Sequence, residues 1–194
     1  MHLLLASKSP RRRELLANLG IDYSIVDIDV EEKLTAPVSA SQVAESLSLL
    51  KADGYTHSLA EGEVLVTADT VVVVNDEVLG KPHSREEAMD MLRNLSGKAH
   101  QVYTGVCLRS AKRTRSFTEC THVYFNRLSE SEIKYYVDKY QPFDKAGAYG
   151  IQEWIGMVGI GKIEGCYYNV MGLPVARLYK ELKVLVDMDN LFVD

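Results

Sequence analysis

His2-Leu3-Leu4-Leu5-Ala6-Ser7-Lys8-Ser9-Pro10-Arg11-Arg12-Arg13-Glu14-Leu15-Leu16 is the stretch on which the fold turns. Its apolar opening predicts a short buried strand, and the hydroxyl-rich turn behind it leads into a helix. Pro10 suits the first helical position, where a missing N–H costs nothing, Ser9 can cap the helix, and Gly20 is a natural stop. Such a strand–turn–helix unit offers backbone N–H groups, two hydroxyls and three guanidinium groups at one helix N-terminus. That combination suits an anion, above all a phosphate chain. Three arginines in a first turn oppose the helix macrodipole and need a negative partner. The partner is either a ligand or the chain's own carboxylates, and the strand–turn–helix setting favours the ligand.

The totals narrow the class. The 194 residues fit one domain spanning 1–194 and are enough to bury a sizeable core. Lys and Arg number 22 against 27 Asp and Glu, for a net charge of −5. An acidic chain is a poor general nucleic-acid binder, so no nucleic-acid partner is expected; a basic turn on an acidic body points to a small anionic ligand. Cys107, Cys120 and Cys166 lack C-x-x-C spacing, and the five histidines are scattered without H-E-x-x-H, which argues against a disulfide framework and a zinc site. No apolar run reaches membrane-spanning length, and no basic segment precedes an apolar one at the N-terminus. The expectation is a soluble, cytoplasmic protein with no membrane partner.

Further along, Tyr23 to Ile28 reads as a strand and Asp29-Val30-Glu31-Glu32-Lys33 as an acidic turn. Ser39 or Ser41 can cap a helix running to about Asp53, with Val43, Leu47 and Leu50 at helical spacing. Val64 to Ala68 is a buried strand that Val71 to Val74 continues; Asn75-Asp76 predicts a two-residue hairpin turn back through Glu77-Val78-Leu79. Ser84 with Glu87, and Ser129 with Glu132, are capping-box signals for two further helices. Between those helices, about Gln101 to Arg109 and about Arg115 to Asn126 read as an antiparallel strand pair. Asp144-Lys145-Ala146-Gly147-Ala148-Tyr149-Gly150 reads as a loop held close to something, and a last helix starts at Pro174. The mixture argues for an α/β fold, one mixed sheet flanked by helices and pinched into two lobes. It is not a pure Rossmann fold, since no G-x-G-x-x-G follows the first strand.

Asp69 follows an apolar strand directly, the place where open α/β sheets present groups to a ligand. A carboxylate there can hold a divalent cation, orient water, or do both. Glu31 and Glu32 are candidates to complete a metal site, which needs only one or two protein carboxylates when a triphosphate supplies other ligands. Lys51, near a helix C-terminus, and Lys81, in the restricted turn Gly80-Lys81-Pro82, are the remaining cations. With Arg11 and Arg12 they would neutralise a triphosphate and the charge that develops on bond cleavage. Gln152 can both donate and accept, as reading a base edge requires, although residue type alone favours a surface glutamine.

Taken together, Leu5-Ala6-Ser7-Lys8-Ser9-Pro10-Arg11-Arg12, Lys51-Ala52, Ala68-Asp69-Thr70, Gly80-Lys81-Pro82, Leu95-Ser96-Gly97, Asp144 through Gln152 and Gly172-Leu173-Pro174 resemble the Maf family of nucleotide pyrophosphatases. The resemblance implies an elongated mixed sheet in two lobes with the site in a central cleft, an ITPase-like architecture. It further implies hydrolysis of nucleoside triphosphates to monophosphate and pyrophosphate with a divalent cation, Mg²⁺ or Mn²⁺. By position, Asp69 matches the family's proton acceptor, and Ser7, Arg12, Glu32, Lys51 and Lys81 match phosphate- and metal-handling positions, with Asp69 and Glu32 on the metal. Arg11, Thr70 and Gln152 fall where the family's branches separate and are similar to the branch acting on dTTP and UTP. The sister branch, acting on 7-methyl-GTP, carries Trp, Gln and Glu there; Glu153-Trp154 in this chain stands where many members have a small residue after the Gln. The alternatives are that sister activity and a nucleotide-binding regulator of division without turnover. The apolar segment Val184 to Val193 suggests a homodimer contact.

Overall fold

Small side chains decide how closely the first layers pack. The computed structural model describes residues 1–34 and 37–187. Strand β1 (His2–Ala6) is followed by helix α1 (Pro10–Asn18), strand β2 (Tyr23–Ile25) and helix α2 (Ala40–Asp53). Ser9 caps α1 by accepting from the Arg12 N–H, Pro10 opens it, and Gly20 follows its end with a φ of 74°. β2 is shorter than the sequence suggests and stops at Ile25. The buried face of α2 is Ala44, Ser48 and Ala52, not the expected Val43, Leu47 and Leu50. The reason lies opposite, on β5 (Ala99–Arg109): a Cβ on Gly105 would stand 2.2 Å from the Glu45 nitrogen. The helix backbone approaches too closely for large side chains on that face. Leu4, Ala52, Leu65 and Cys107 form a core cluster there, with Leu49 and Ile28 packed at its margin.

Strand β3 (Glu63–Val74) is continuous over 12 residues. Asp69 and Thr70 therefore lie inside a strand, and not at the end of one as expected. Alternating side chains let a strand carry two polar residues through an apolar run without breaking, provided they have partners. β3 pairs in parallel with β1 from Glu63 to Thr67 and antiparallel with β4 (Glu77–Leu79) from Val72 to Val74. Asn75 and Asp76 both have positive φ, 50° and 63°, as a twist-matched two-residue hairpin turn requires.

Helix α3 (Arg85–Leu95) is capped by Ser84, but the Glu87 carboxylate accepts from the His83 N–H, one residue before the reciprocal position. Helix α4 (Glu130–Tyr140) has the full capping box between Ser129 and Glu132 and ends at Gln141 in the left-handed region. β5 and β6 (Thr114–Phe125) are neighbours in a seven-stranded sheet of order β2-β1-β3-β5-β6-β7, with β4 on β3. Sequence patterning missed the stretch after Gln152, which holds helix α5 (Trp154–Gly159), edge strand β7 (Ile160–Glu164) and helix α6 (Tyr167–Met171). These elements have 6, 5 and 5 residues, too few for a period to register. Helix α7 (Val175–Leu185) begins after Pro174 as expected; Val184 is exposed on it, and 188–193 of the suggested dimer segment lie outside the described residues.

The chain divides into two compact units. One comprises residues 1–69, 104–119 and 172–194; the other comprises 70–103 and 120–171. In the second unit α3 and α4 pack together, with Ala88, Leu92, Ile133 and Val137 buried, and a two-toothed Arg85–Asp138 pair joins their exposed sides. None of the helices among the described residues is long and apolar enough to cross a membrane.

Candidate active site

The first unit holds six of the expected residues, Ser7, Arg11, Arg12, Glu32, Lys51 and Asp69. Thr67 and Asp69 project from the same face of β3, because side chains alternate along a strand. Thr67 is fully buried and its hydroxyl donates to the Ser48 carbonyl of α2 at 2.6 Å. Two residues on, Asp69 consequently meets the next turn of α2, where the Lys51 ammonium donates to Oδ1 of Asp69 at 2.6 Å. The same ammonium is 3.1 Å from Oε2 of Glu32, which the acidic turn brings in. Lys51 and Asp69 are largely buried and Glu32 is half exposed. Of the two candidate glutamates, Glu32 is the one that reaches this cluster.

The basic turn after β1 lies against the same residues. Arg12 donates from Nε to the Gly172 carbonyl at 2.7 Å and from Nη1 to the Ala68 carbonyl at 2.8 Å, next to Asp69. Burial lowers the Arg12 pKa from its ordinary value; Asp69 and Glu32 oppose that shift, and Arg11 adds to it. Asp69, Glu32 and Arg11 are therefore each within electrostatic reach of the Arg12 guanidinium. Ser7 accepts from the Ser9 N–H at 3.2 Å and its carbonyl takes Nε and Nη2 of Arg13 at 3.3 Å. The arginine triplet thus divides: Arg13 folds back to brace the turn, while Arg12 fixes the strand beside the carboxylate. No acidic residue occupies the first turn of α1, so its N-terminus retains its positive field.

Two carboxylates converging on one cationic point form a hard, oxygen-donor site. This fits Mg²⁺ or Mn²⁺ held by one or two carboxylates together with substrate phosphates. Among the described residues no group of three or more His, Cys, Asp and Glu could hold a metal ion.

Thr70, Lys81 and Gln152 belong to the second unit. Lys81 is exposed in a turn whose Gly80 carbonyl accepts from the Gly147 N–H at 3.0 Å. Gly147 (φ 67°) packs on β3: a Cβ there would stand 2.9 Å from Val72. Thr70 is partly buried two residues before Val72. Gln152 is exposed and lines an open cavity of about 440 Å³ with Met157, Lys162 and Tyr167. Contacts of the 146–148 loop thus lie beside Thr70 and Lys81, and its continuation carries Gln152. Sequence reasoning missed the side chains that hold this loop, Tyr136, Lys145 and Glu153; the only signal was a lysine inside an otherwise small-residue motif.

A family model described as Maf-like protein matches residues 2–185, and the chain belongs to that family. Among its relatives is a protein of Bacteroides thetaiotaomicron named dTTP/UTP pyrophosphatase, 54% identical over 184 residues that cover 94% of this chain and 95% of the relative. Relatives of the same name in Bacteroides fragilis and Phocaeicola vulgatus are each 49% identical over 184 residues, with the same coverage of 94% and 95%. The solved structure of the Staphylococcus aureus Ham1 protein superposes with a TM-score of 0.52 at 17% identity, covering 94% of this chain and 100% of that one. It supports the α/β fold alone.

Proposed function

We propose that this chain hydrolyses dTTP and UTP to the nucleoside monophosphate and pyrophosphate, with Mg²⁺ or Mn²⁺ as cofactor. The Glu32–Lys51–Asp69 cluster beside Arg12 carries the reading: it pairs a carboxylate able to take a proton with the cations a triphosphate needs. The names of relatives about half identical over nearly their whole length support the substrate.

In this mechanism the triphosphate lies against the α1 N-terminus, with Ser7, Arg11, Arg12 and Lys81 holding its oxygens. Asp69 and Glu32 would hold the divalent cation, which would supply Lewis-acid charge to the phosphate oxygens. On substrate binding, Lys51 exchanges its carboxylate partners for phosphate oxygens. Asp69 accepts a proton from water as the water oxygen bonds to the α-phosphorus and the bond from that phosphorus to the bridging oxygen breaks. Lys51, Lys81 and the arginines stabilise the charge on the departing pyrophosphate. Arg11, Thr70 and Gln152 select the base, Gln152 through the carbonyl–imide–carbonyl edge that thymine and uracil share. A regulator would need the phosphate cradle but not the water-activating carboxylate, so the enzyme reading is preferred to it.

Incubation with dTTP and Mg²⁺ followed by a pyrophosphate assay tests this. Stoichiometric dTMP and pyrophosphate, abolished by chelator and restored by metal, are expected. Tight nucleotide binding with no pyrophosphate over hours would favour the regulator, and 7-methyl-GTP as best substrate would favour the sister activity.

A further inference from the structure

A buried polar network lies beneath the turn that carries Gln152. Lys145 is 8% exposed, and its ammonium is 2.7 Å from Asp144 and 3.1 Å from Oε1 of Glu153. The other carboxylate oxygen of Glu153 accepts a hydrogen bond from the hydroxyl of Tyr136, which is fully buried on α4. That hydroxyl in turn accepts from the Gly150 N–H at 2.9 Å. A Cβ on Gly150 would stand 2.8 Å from the Glu153 carboxyl carbon and 3.0 Å from Cε of Lys145, so a side chain there would displace these two partners. Burial, and then the hydrogen bond to Glu153, raise the Tyr136 pKa from its ordinary value. The phenol therefore stays a donor at neutral pH.

A core this polar is expensive unless every member is satisfied, and an apolar packing of equal volume is often at least as stable. What the network does mechanically is specific. It closes the 145–153 segment on itself through the Lys145–Glu153 pair and ties it to α4 where the Tyr136 hydroxyl meets Glu153 and the Gly150 N–H. The middle of the same segment holds the Lys81 turn through the Gly147–Gly80 hydrogen bond and rests on β3 at Val72. Each expected substrate residue of this unit is thus within two positions of an atom the segment holds: Gln152 beside Glu153, Lys81 beside Gly80, Thr70 two residues from Val72.

We propose that Tyr136, Lys145 and Glu153 are positioning residues, a buried clamp that aims Gln152 at the base and thereby sets pyrimidine discrimination. This rests on the dTTP/UTP reading above. The test is calorimetric binding of α,β-methylene analogues of UTP and CTP with Mg²⁺, which needs no turnover, on the wild-type protein, Tyr136→Phe, Glu153→Gln, Gln152→Ala and the double variant Tyr136→Phe/Gln152→Ala. Wild-type preference for the UTP analogue should fall by at least about fivefold in Tyr136→Phe and Glu153→Gln. The effect of Tyr136→Phe should disappear in the Gln152→Ala background, as coupling through one side chain requires. Lys145→Arg, keeping the charge, should retain more of the preference than Lys145→Met.

A lowered melting temperature with the preference intact would make the network merely structural and overturn the proposal. Equal losses with and without Gln152 would overturn it as well. If Tyr136→Phe does not fold, Glu153→Gln in the same two backgrounds decides by the same criterion. A wild-type protein that binds both analogues equally overturns the discrimination claim while leaving pyrophosphate release to be judged by its own assay; one that binds neither overturns both readings.

Discussion

The ammonium of Lys51 stands 2.6 Å from Oδ1 of Asp69 and bridges it to Glu32 at 3.1 Å, so a protein cation occupies the point on which two carboxylates converge. A divalent ion and this ammonium compete for the same oxygens. Lys51→Met is expected to bind Mn²⁺ alone more tightly than wild type by at least about tenfold, equivalent to about 1.4 kcal/mol of relieved competition. Mn²⁺ electron paramagnetic resonance titration without nucleotide reads this directly. Turnover should nevertheless fall, because the same cation is needed on the phosphates.

Asp69→Asn keeps the shape of the side chain, and its amide oxygen can still accept from Lys51, but it cannot act as a base. The expected loss in kcat is on the order of 10²–10⁴-fold if the group acts as a base, and more if it also places the metal. Single-turnover pyrophosphate release measures it. Near-normal turnover would remove Asp69 from the mechanism.

Arg12 spans two backbone carbonyls, Ala68 at 2.8 Å and Gly172 at 2.7 Å, which a single ammonium does not match in geometry. Arg12→Lys is expected to destabilise the fold by about 1–3 kcal/mol through an unsatisfied carbonyl. Urea denaturation checks this, and the same variant should lose phosphate affinity.

Base selection should follow hydrogen-bond pattern more than size. Uracil and thymine differ by one methyl, worth about 1–3 kcal/mol at most in an apolar pocket, and the sugars of UTP and dTTP differ by the 2′-hydroxyl. Cytosine reverses a donor–acceptor relation and should cost a further 1–3 kcal/mol or so. Rates on dTTP, UTP, CTP, ATP and 7-methyl-GTP test this ranking, and Gln152→Glu should weaken the pyrimidine preference.

His100 gives the fold a pH dependence. It is buried, its Nε2 is 2.7 Å from the Tyr149 hydroxyl, its Nδ1 has no hydrogen-bond partner, and burial pushes its pKa down to about 4. The unfolded chain binds a proton near pH 6.5 and the native one does not. Between those values the unfolded state carries more protons, so stability rises with pH from 4 to 6.5 and is lost on acidification, by about 3 kcal/mol in total. Urea unfolding at pH 7 and pH 4.5 measures the slope, and His100→Gln should flatten it.

Local chemistry made much of this molecule legible in advance. The helix starting at Pro10, the Asn75-Asp76 hairpin turn and the Ser129–Glu132 capping box each depend on residues within four positions, so their signals sit in the sequence. The motif positions Ser7, Arg12, Glu32, Lys51 and Asp69 were legible too, as side chains with a chemistry. What the sequence could not say is which of them meet. The contact of Lys51 with Asp69 exists because Gly105, Ala44, Ser48 and Ala52 let α2 lie close to the sheet, a choice spread over distant residues. The split between a bracing Arg13 and a strand-fixing Arg12 depends on carbonyls at Ser7, Ala68 and Gly172, and no side-chain pattern records those. The Tyr136–Glu153–Lys145 network is likewise tertiary, since burial alone turns three ordinary polar residues into one clamp. Residue order determined the local turns, caps and reactive groups because short-range sterics and hydrogen bonding act along the chain. Close packing across it decided their partners, because desolvation depends on what the whole fold brings near.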